Sequence, residues 1–162
     1  MRVILGIEHT GPQELTNPYE KLPTINNEIT YGTESDEMDL LWHDQRTIAA
    51  SASEDLDLAD GTLIDAFGVA SAFVEVRMIC IVASADNTND VVIGGSATSE
   101  WLGWLTATGD KVTIPAGAIS YNYTPNDGTW AVTSGSSDTL KIANSGGTTS
   151  VTYDIYIGGT SA

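Results

Sequence analysis

The sequence contains one cysteine, Cys80, and no long run of apolar residues. A single cysteine excludes an intrachain disulfide framework. No apolar stretch approaches the roughly 18 residues that a membrane-spanning helix needs. The apolar stretch at the start of the chain, residues 3–7, is too short for a secretory signal peptide. These absences predict a protein that is neither cross-linked by disulfides nor embedded in a membrane.

Basic residues are scarce: 6 lysines and arginines stand against 22 aspartates and glutamates, and the formal net charge is −16. Nucleic-acid binders need a cationic surface against the phosphates, and anionic membranes attract basic segments. We therefore expect no nucleic acid and no membrane among the partners. The acidic surface has two open explanations, a basic protein partner or solubility in a high-salt setting.

Groups suited to catalysis are also few. Of the two histidines, His43 is followed by Asp44, and neighbouring residues of a strand point to opposite faces. No serine lies in a Gly-x-Ser-x-Gly turn. Cys80 falls on the apolar side of the longest predicted strand, where we expect an unreactive core residue. The sequence therefore predicts no enzyme, no catalytic residue and no cofactor.

Carboxylates cluster at residues 34–39, 54–57 and 86–90. A glycosidase needs two carboxylates across a sugar cleft, but in a chain with 22 acidic residues we expect such clusters along solvated edges. Residues 86–90, DNTND, lack the glycine and the distant glutamate of an EF-hand loop. We interpret them as a polar hairpin turn and assign no metal ligand.

The length of 162 residues suits one domain with an arm. Residues 1–38 contain Pro12, Pro18 and Pro23 and show no sustained helical or strand period, which favours an extended N-terminal arm. A surface loop wrapped on its own domain is the alternative. Residues 39–162 are predicted to form the folded domain.

From residue 39 onward the pattern predicts an all-β domain. The longest predicted strand is 72–83, where successive side chains point to two opposite faces. The wholly apolar face, which includes Cys80, is expected in the core. On the other face, Glu75 and Arg77 are expected in solvent. Shorter alternating segments with Gly, Asn and Asp turns are typical of a two-sheet antiparallel β-sandwich with jelly-roll-like or Greek-key topology. The other predicted strands are 39–50, 90–94, 100–105, 111–114, 118–124, 129–133, 139–143 and 150–158, with one helical turn near 63–67.

Two parts of this domain resemble a known family of proteins. The first is HDQRTIAASASEDLDL at residues 43–58 with LIDAFG at 63–68, and the second is LKIANSGG at 140–147 with VTYDIYIGG at 151–159. They resemble small β-sandwich virion proteins of tailed bacteriophages, and within that class the chain is most similar to head decoration, or cement, proteins. The resemblance covers roughly residues 40–158 and brings no catalytic motif.

The resemblance implies a location and a partner. Decoration proteins sit on the outer surface of the capsid, often as trimers, and clamp neighbouring subunits of the major capsid protein. In this chain we assign partner binding to the arm, because a proline-punctuated segment can lie in a groove or add to a sheet edge of a neighbour. The residues predicted to bind are Pro12, Leu15, Pro18, Tyr19, Leu22, Pro23 and Ile25, with Tyr19, Leu22 and Ile25 as apolar anchors.

The alternative function is a tail- or fibre-associated adhesin module that binds host glycan through exposed aromatic side chains. The candidates are Trp101, Trp104, Trp130, Tyr121, Tyr123 and Tyr156, with Trp130 and Tyr156 the first to test. Trp101 and Trp104 are three residues apart, so a strand would send them to opposite faces. Tyr121 and Tyr123 share a face with Ile119 and are expected in the core.

Overall fold

The computed structural model describes residues 29–65, 67–95, 98–126 and 128–162. Within these segments the fold is all-β, as predicted, and no helix is present that could cross a membrane. The strands are β1 (Leu40–Ile48), β2 (Ser53–Asp57), β3 (Leu63–Ile64), β4 (Ala70–Ser71), β5 (Glu75–Ala83), β6 (Val91–Gly94), β7 (Lys111–Ile114), β8 (Ile119–Tyr123), β9 (Thr139–Asn144) and β10 (Val151–Thr160).

Two four-stranded antiparallel sheets pack against each other around one core. The first sheet has the order β1-β10-β5-β8 and the second has the order β2-β9-β6-β7. The pairs are nested along the chain, β1 with β10, β2 with β9, β5 with β8 and β6 with β7, as in one long hairpin wrapped around a core. This arrangement is the jelly-roll form of the predicted β-sandwich.

Alternation along the strands builds the core between the sheets. On β10, Val151, Tyr153, Ile155 and Ile157 are fully buried, as the strand period of two predicts. The second sheet contributes the apolar residues Leu56, Val91, Ile93, Ile114, Leu140 and Ile142. Burying a side chain of this size stabilises the fold by roughly 1.5–3 kcal/mol, so this layer holds the two sheets together.

The inward face of β5 is opposite to the one predicted. We expected the apolar set that includes Cys80 and Val82 in the core, but these two are half-exposed, whereas Ile79 and Ile81 are buried. Both faces of the strand are apolar over this stretch, so alternation alone does not choose between them. The register makes the choice, because Ile81 aligns with Ile155 of β10, whose inward face is unambiguous.

The helical turn predicted near residues 63–67 is wrong. Strands β3 and β4 pair there as a short antiparallel hairpin. The Asp65 carboxylate accepts hydrogen bonds from the backbone N–H groups of Phe67 and Val69, each at 2.8 Å. Short polar side chains that bind nearby backbone groups in this way favour turns over helices.

Two segments predicted as strands, residues 100–105 and 129–133, are not strands in the structure. They form only isolated bridges with other segments of the same chain. In the first segment the backbone N–H of Leu105 donates to the Leu102 carbonyl at 2.7 Å, which closes a turn. A turn of this kind withdraws the backbone groups that a strand ladder would use.

The pattern also missed one strand, β2. Glu54, Asp55 and Asp57 make three of its five residues acidic, and Leu56 is its one fully buried side chain. The strand exists because its backbone pairs with β9, where Leu56 aligns with Leu140. A single apolar residue leaves no alternation to detect, so β2 is defined by its partner.

Candidate interaction site

The outer face of the first sheet, the side turned away from the second sheet, carries a row of aromatic side chains. The register places His43 beside Tyr156, Tyr156 beside Cys80 and Cys80 beside Tyr121. The His43 and Tyr156 rings stack, with centroids 4.2 Å apart and planes 16° apart. The row therefore crosses all four strands and offers flat rings for stacking contacts.

Apolar side chains flank this row. Leu41 is 49% and Ile119 64% exposed, and the half-exposed Val82 aligns with Ile119. Tyr121, within the row, is 37% exposed. Contiguous exposed apolar surface on a soluble protein marks an interaction site. The outer face of the first sheet is therefore our main candidate for contact with a partner.

The β3–β4 hairpin presents a second, smaller apolar surface. Ile64, Phe67 and Val69 are 52%, 92% and 60% exposed. The indole N–H of Trp42 on β1 donates to the Ile64 carbonyl at 3.1 Å, so the hairpin is tied to the edge of the first sheet. These side chains project from a short turn, and they add apolar surface close to β1.

Tyr121 and Tyr123 do not lie in the core, contrary to the prediction. With Ile119 they form the outward side of β8, which is an edge strand of the first sheet. The other side carries Ser120 and Asn122, and the Asn122 amide donates to the Ser120 hydroxyl at 3.2 Å. At a sheet edge, polar side chains on the inward side still reach water, so the face preference of a central strand does not apply.

Residues 29–38, the described part of the predicted arm, cover one end of the outer face. Met38 lies over Gly158, where an added Cβ would come 2.6 Å from the Met38 sulfur. Beside it is a hollow of about 260 Å³, lined mainly by Ile29, Tyr31, Met38, Leu41 and Met78. Leu41 also belongs to the outer face, so the hollow and the aromatic row are adjacent parts of one surface.

A buried arginine fixes this segment to the sheet. Arg77 is fully buried, and its guanidinium donates to three backbone carbonyl oxygens, those of Thr33 at 3.0 Å, Glu34, and Glu37 at 2.8 Å. Its charge is paired with Glu75, with 3.0 Å between Nη2 and Oε2. The expectation that Glu75 and Arg77 lie in solvent is therefore wrong. The sequence contained one feature that could have predicted their burial: two opposite charges lie close together inside an apolar strand. Buried charges occur where they are paired and hydrogen-bonded.

Trp101, Trp104 and Trp130 form one cluster, although the predicted strand would separate the first two. Their ring centroids lie 6.0 to 6.4 Å apart. A turn through Gly103, whose φ is +53°, brings Trp104 back against Trp101. Trp101 is buried and the other two are partly buried against the core, so the cluster is a packing unit and not an open platform for a sugar ring.

Within the cluster at residues 54–57, the carboxylate of Glu54 is engaged within the fold. Glu54 accepts a hydrogen bond from the Tyr153 hydroxyl at 2.8 Å and pairs with Arg46, with 2.6 Å between Oε2 and Nη2. Arg46 also reaches Asp44 at 2.9 Å. Glu54 is held by an arginine and by a buried hydroxyl, so it is a structural carboxylate and not the solvated edge residue that we expected.

The Tyr153 hydroxyl predicts a loss of stability at high pH. Burial, together with the Glu54 carboxylate, raises the pKa of Tyr153 well above its usual value. Above about pH 10 the unfolded chain loses this proton while the folded chain keeps it, so stability falls by up to about 1.4 kcal/mol per pH unit. Tyr153→Phe should cost about 1–2 kcal/mol at pH 7 and should flatten the decline above pH 10.

Urea unfolding at several pH values measures both effects of Tyr153→Phe. The half-exposed Tyr121 provides the matched control, since Tyr121→Phe should leave stability at pH 7 nearly unchanged. An alkaline decline that is equally steep in Tyr153→Phe and in the parent protein would contradict the assignment to Tyr153.

The turn at residues 86–90 is polar, as predicted, but it is not a hairpin turn, because the strands that it joins, β5 and β6, lie in different sheets. Its amides bind the chain before and within β10: Asn89 Nδ2 donates to the Thr149 carbonyl at 3.0 Å, and Asn87 Nδ2 donates to the Thr152 carbonyl at 2.9 Å. Within the described segments, no group of three or more His, Cys, Asp or Glu side chains is placed to hold a metal ion.

Cys80 is half-exposed on the outer face, so its predicted place in the core is wrong. It is flanked in the register by Tyr156 and Tyr121. Partial burial raises the pKa of the Cys80 thiol, and a thiol that keeps its proton is a poor nucleophile. Cys80 is therefore part of the candidate contact surface, and its raised pKa disfavours a role as a nucleophile.

The arm residues predicted to bind a partner, from Pro12 to Ile25, lie outside the described residues. Their role stays a prediction.

No protein-family model matches the chain, and no curated protein is significantly similar to it in sequence. The function must therefore be inferred from the surfaces described above.

Proposed function

We propose that this protein is a non-enzymatic virion structural protein, an outer capsid decoration protein that bridges and stabilises subunits of the major capsid protein. The observation that carries the proposal is the anchoring of residues 29–38 by Arg77 beside the apolar hollow. This anchoring holds residues 33–37 of the arm against the first sheet, next to an exposed apolar face. In this proposal the arm and the face contact one partner together.

The fold and the charge are compatible with this role. Jelly rolls occur in viral capsid proteins and in lectins, and a fold by itself does not specify function. The net charge of −16 suits the outer side of a shell better than the side that faces packaged DNA. Binding of this kind stabilises the assembled shell by mass action, because the protein binds the assembled state in preference to free subunits.

The test is binding to undecorated capsids by the full-length chain with the predicted anchors Tyr19, Leu22 and Ile25 replaced by alanine. Each buried apolar anchor contributes roughly 1.5–3 kcal/mol, so losing them should weaken binding at least about a hundredfold. Sedimentation with capsids measures the affinity. Imaging of the bound particles should show the parent protein at a regular lattice position on the outer surface.

The matched control is Thr113→Ala, at an exposed position on the edge strand β7 of the second sheet, away from both the arm and the outer face. It should keep the capsid affinity of the parent protein. Full saturation of capsids by the triple alanine variant would refute the role of the arm. Absence of capsid binding by the parent protein would refute the decoration role itself.

The second candidate, a glycan-binding adhesin module, is favoured by one observation. Tyr156, stacked on His43, and Tyr121 stand in one row on an exposed sheet face, and aromatic faces are good stacking surfaces. A glycan array probed with the parent protein and with Tyr156→Ala decides this case. Binding to a glycan that is lost in Tyr156→Ala and retained in Trp130→Ala would place the adhesin role first.

A further inference from the structure

The open edge of β8 has a defined set of free backbone groups. The hydrogen bonds from Ala83 N–H to the Ala118 carbonyl and from Thr124 N–H to the Arg77 carbonyl set the phase of the β5–β8 ladder. Because the bonds alternate along an antiparallel pair, the N–H and C=O groups of Ile119, Tyr121 and Tyr123 point away from β5. In the described part of the chain, β8 pairs with no other strand.

Strand β8 differs from the other sheet edges in charge. The edge strands β1, β2 and β7 all carry charged side chains, among them Arg46, Asp55 and Lys111. Strand β8, Ile-Ser-Tyr-Asn-Tyr, carries none. Charged side chains on an edge strand discourage pairing with another chain. Of the four edge strands of the two four-stranded sheets, β8 alone lacks this protection.

The sequence of β8 is self-complementary about its central residue, and we infer that β8 pairs antiparallel with β8 of a second copy of this chain, around a two-fold axis at Tyr121. In this register Tyr121 faces Tyr121 of the second copy, and Ile119 faces Tyr123. The three residues of each copy whose backbone groups point to the open edge donate and accept once each, which makes six backbone hydrogen bonds. Aromatic pairs and aromatic with β-branched pairs are favourable cross-strand neighbours.

The polar side of β8 fits the same register. Ser120 of one copy would face Asn122 of the other, a hydroxyl opposite an amide, and these two side chains already bond within one chain at 3.2 Å. The first sheet would continue across the axis as a sheet of eight strands, four from each copy. The exposed Ile119 and Tyr121 would gain cover on the outer face.

Charge explains why a second copy would meet here. Each chain carries a net charge of −16, so two copies repel each other over most of their surface. An edge strand without charged side chains reduces this repulsion, and the Asp36 carboxylate, which accepts a hydrogen bond from the Tyr123 hydroxyl at 3.4 Å, is the charge that remains at its end. Added salt should weaken the remaining repulsion, since the Debye length falls as ionic strength rises. Dimerisation should therefore strengthen with salt, whereas docking of this acidic protein on a basic partner should weaken.

The test is sedimentation equilibrium of the full chain over a range of concentrations, at about 0.05 M and about 0.5 M NaCl. We expect the mass to rise from 17.1 kDa toward twice that value, with a dissociation constant on the order of 10–100 μM because a strand-edge contact is small. The constant should fall at the higher salt. Capsid binding is a separate measurement, so the dimer stands or fails independently of the proposed function.

Two variants locate the contact. Tyr121→Pro removes an N–H that points to the open edge and costs no bond to β5. Tyr121→Lys places two lysines opposite each other at the axis, and Thr113→Lys, an exposed position on the edge strand β7, adds the same charge elsewhere. We expect both Tyr121 variants to raise the dissociation constant at least about tenfold and Thr113→Lys to leave the dimer intact.

Circular dichroism of each variant shows whether it is folded, and Tyr121→Lys decides the question if Tyr121→Pro does not fold. A protein that stays monomeric at every concentration and salt would overturn the inference. So would a dimer that both Tyr121 variants retain, or a mass of three chains, the trimer that the resemblance implies.

Discussion

Replacing Arg77 by methionine should lower the free energy of unfolding by about 3–5 kcal/mol, the range for breaking a buried ion pair. Methionine keeps much of the length of the side chain but none of its donors. The change leaves the Glu75 carboxylate buried without its partner and takes the guanidinium donors from the carbonyls of Thr33, Glu34 and Glu37. Urea unfolding, followed by circular dichroism, measures the loss.

The second Arg–Glu pair of the protein is the matched control. Arg46 pairs with Glu54, but its side chain is 33% exposed, so water screens the interaction. Arg46→Met should cost about 1 kcal/mol or less. The double variant Arg77→Met, Glu75→Gln should recover part of the loss, because it removes the unpaired buried charge. Equal losses at Arg77 and Arg46 would contradict the burial of the Glu75–Arg77 pair.

The Arg77 variant also has a local consequence. Residues 30–38 are tied together by few backbone bonds, including Met38 N–H to the Thr30 carbonyl at 3.0 Å. Without the arginine donors this segment should open more often than the sheets, so its amides should exchange with solvent faster. Hydrogen exchange of Met38, compared with Ile155 in β10, reports this release directly.

Replacing Trp101 by alanine should cost about 3–5 kcal/mol, as large-to-small changes of buried aromatic residues do. Trp101 is 2% exposed and packs edge-on against both Trp104 and Trp130. Gly103 closes the other side, since a Cβ there would come 2.5 Å from the Trp101 ring. The cavity left by alanine would be lined by rigid rings and a tight turn, which cannot collapse into it.

Two further variants separate packing from polarity. The buried indole N–H of Trp101 has no hydrogen-bond partner among the described residues. Trp101→Phe removes that donor together with part of the ring, so it should cost clearly less than alanine. Trp104→Ala, at a partly buried position, should also cost less. Urea unfolding ranks the three, and a Trp104→Ala loss that exceeds that of Trp101→Ala would contradict the description of Trp101 as the centre of the cluster.

Much of the fold could be predicted because its signals are local. Strands β1, β6, β7, β8, β9 and β10 lie within two residues of the predicted bounds, since alternation and turn residues act over a few positions. Strand β2 and the segment 100–105 show where this fails. Strand β2 is too acidic to show alternation, and it forms because it pairs with β9. In residues 100–105 a turn from Leu102 to Leu105 replaces the predicted strand.

The candidate site was predictable in its residue types but not in its geometry. Tyr156 and Tyr121 were named as aromatic candidates, yet Tyr121 was expected inside. Their common row with His43 and Cys80 depends on the register of four strands that are far apart in the sequence. No pattern within a single strand contains that information.

The amino-acid sequence alone determined that the domain from residue 39 onward is all-β over its described residues, where most of its strands begin and end, and that the protein is strongly acidic. These properties follow from neighbouring residues and from composition. The tertiary structure decided which face of β5 is inside, that Arg77 is buried, and that Tyr121 is exposed at an edge. The physical reason is that alternation distinguishes the two faces of a strand but does not show which of them is buried when both are apolar. The partner strands and the opposite sheet decide which face is buried.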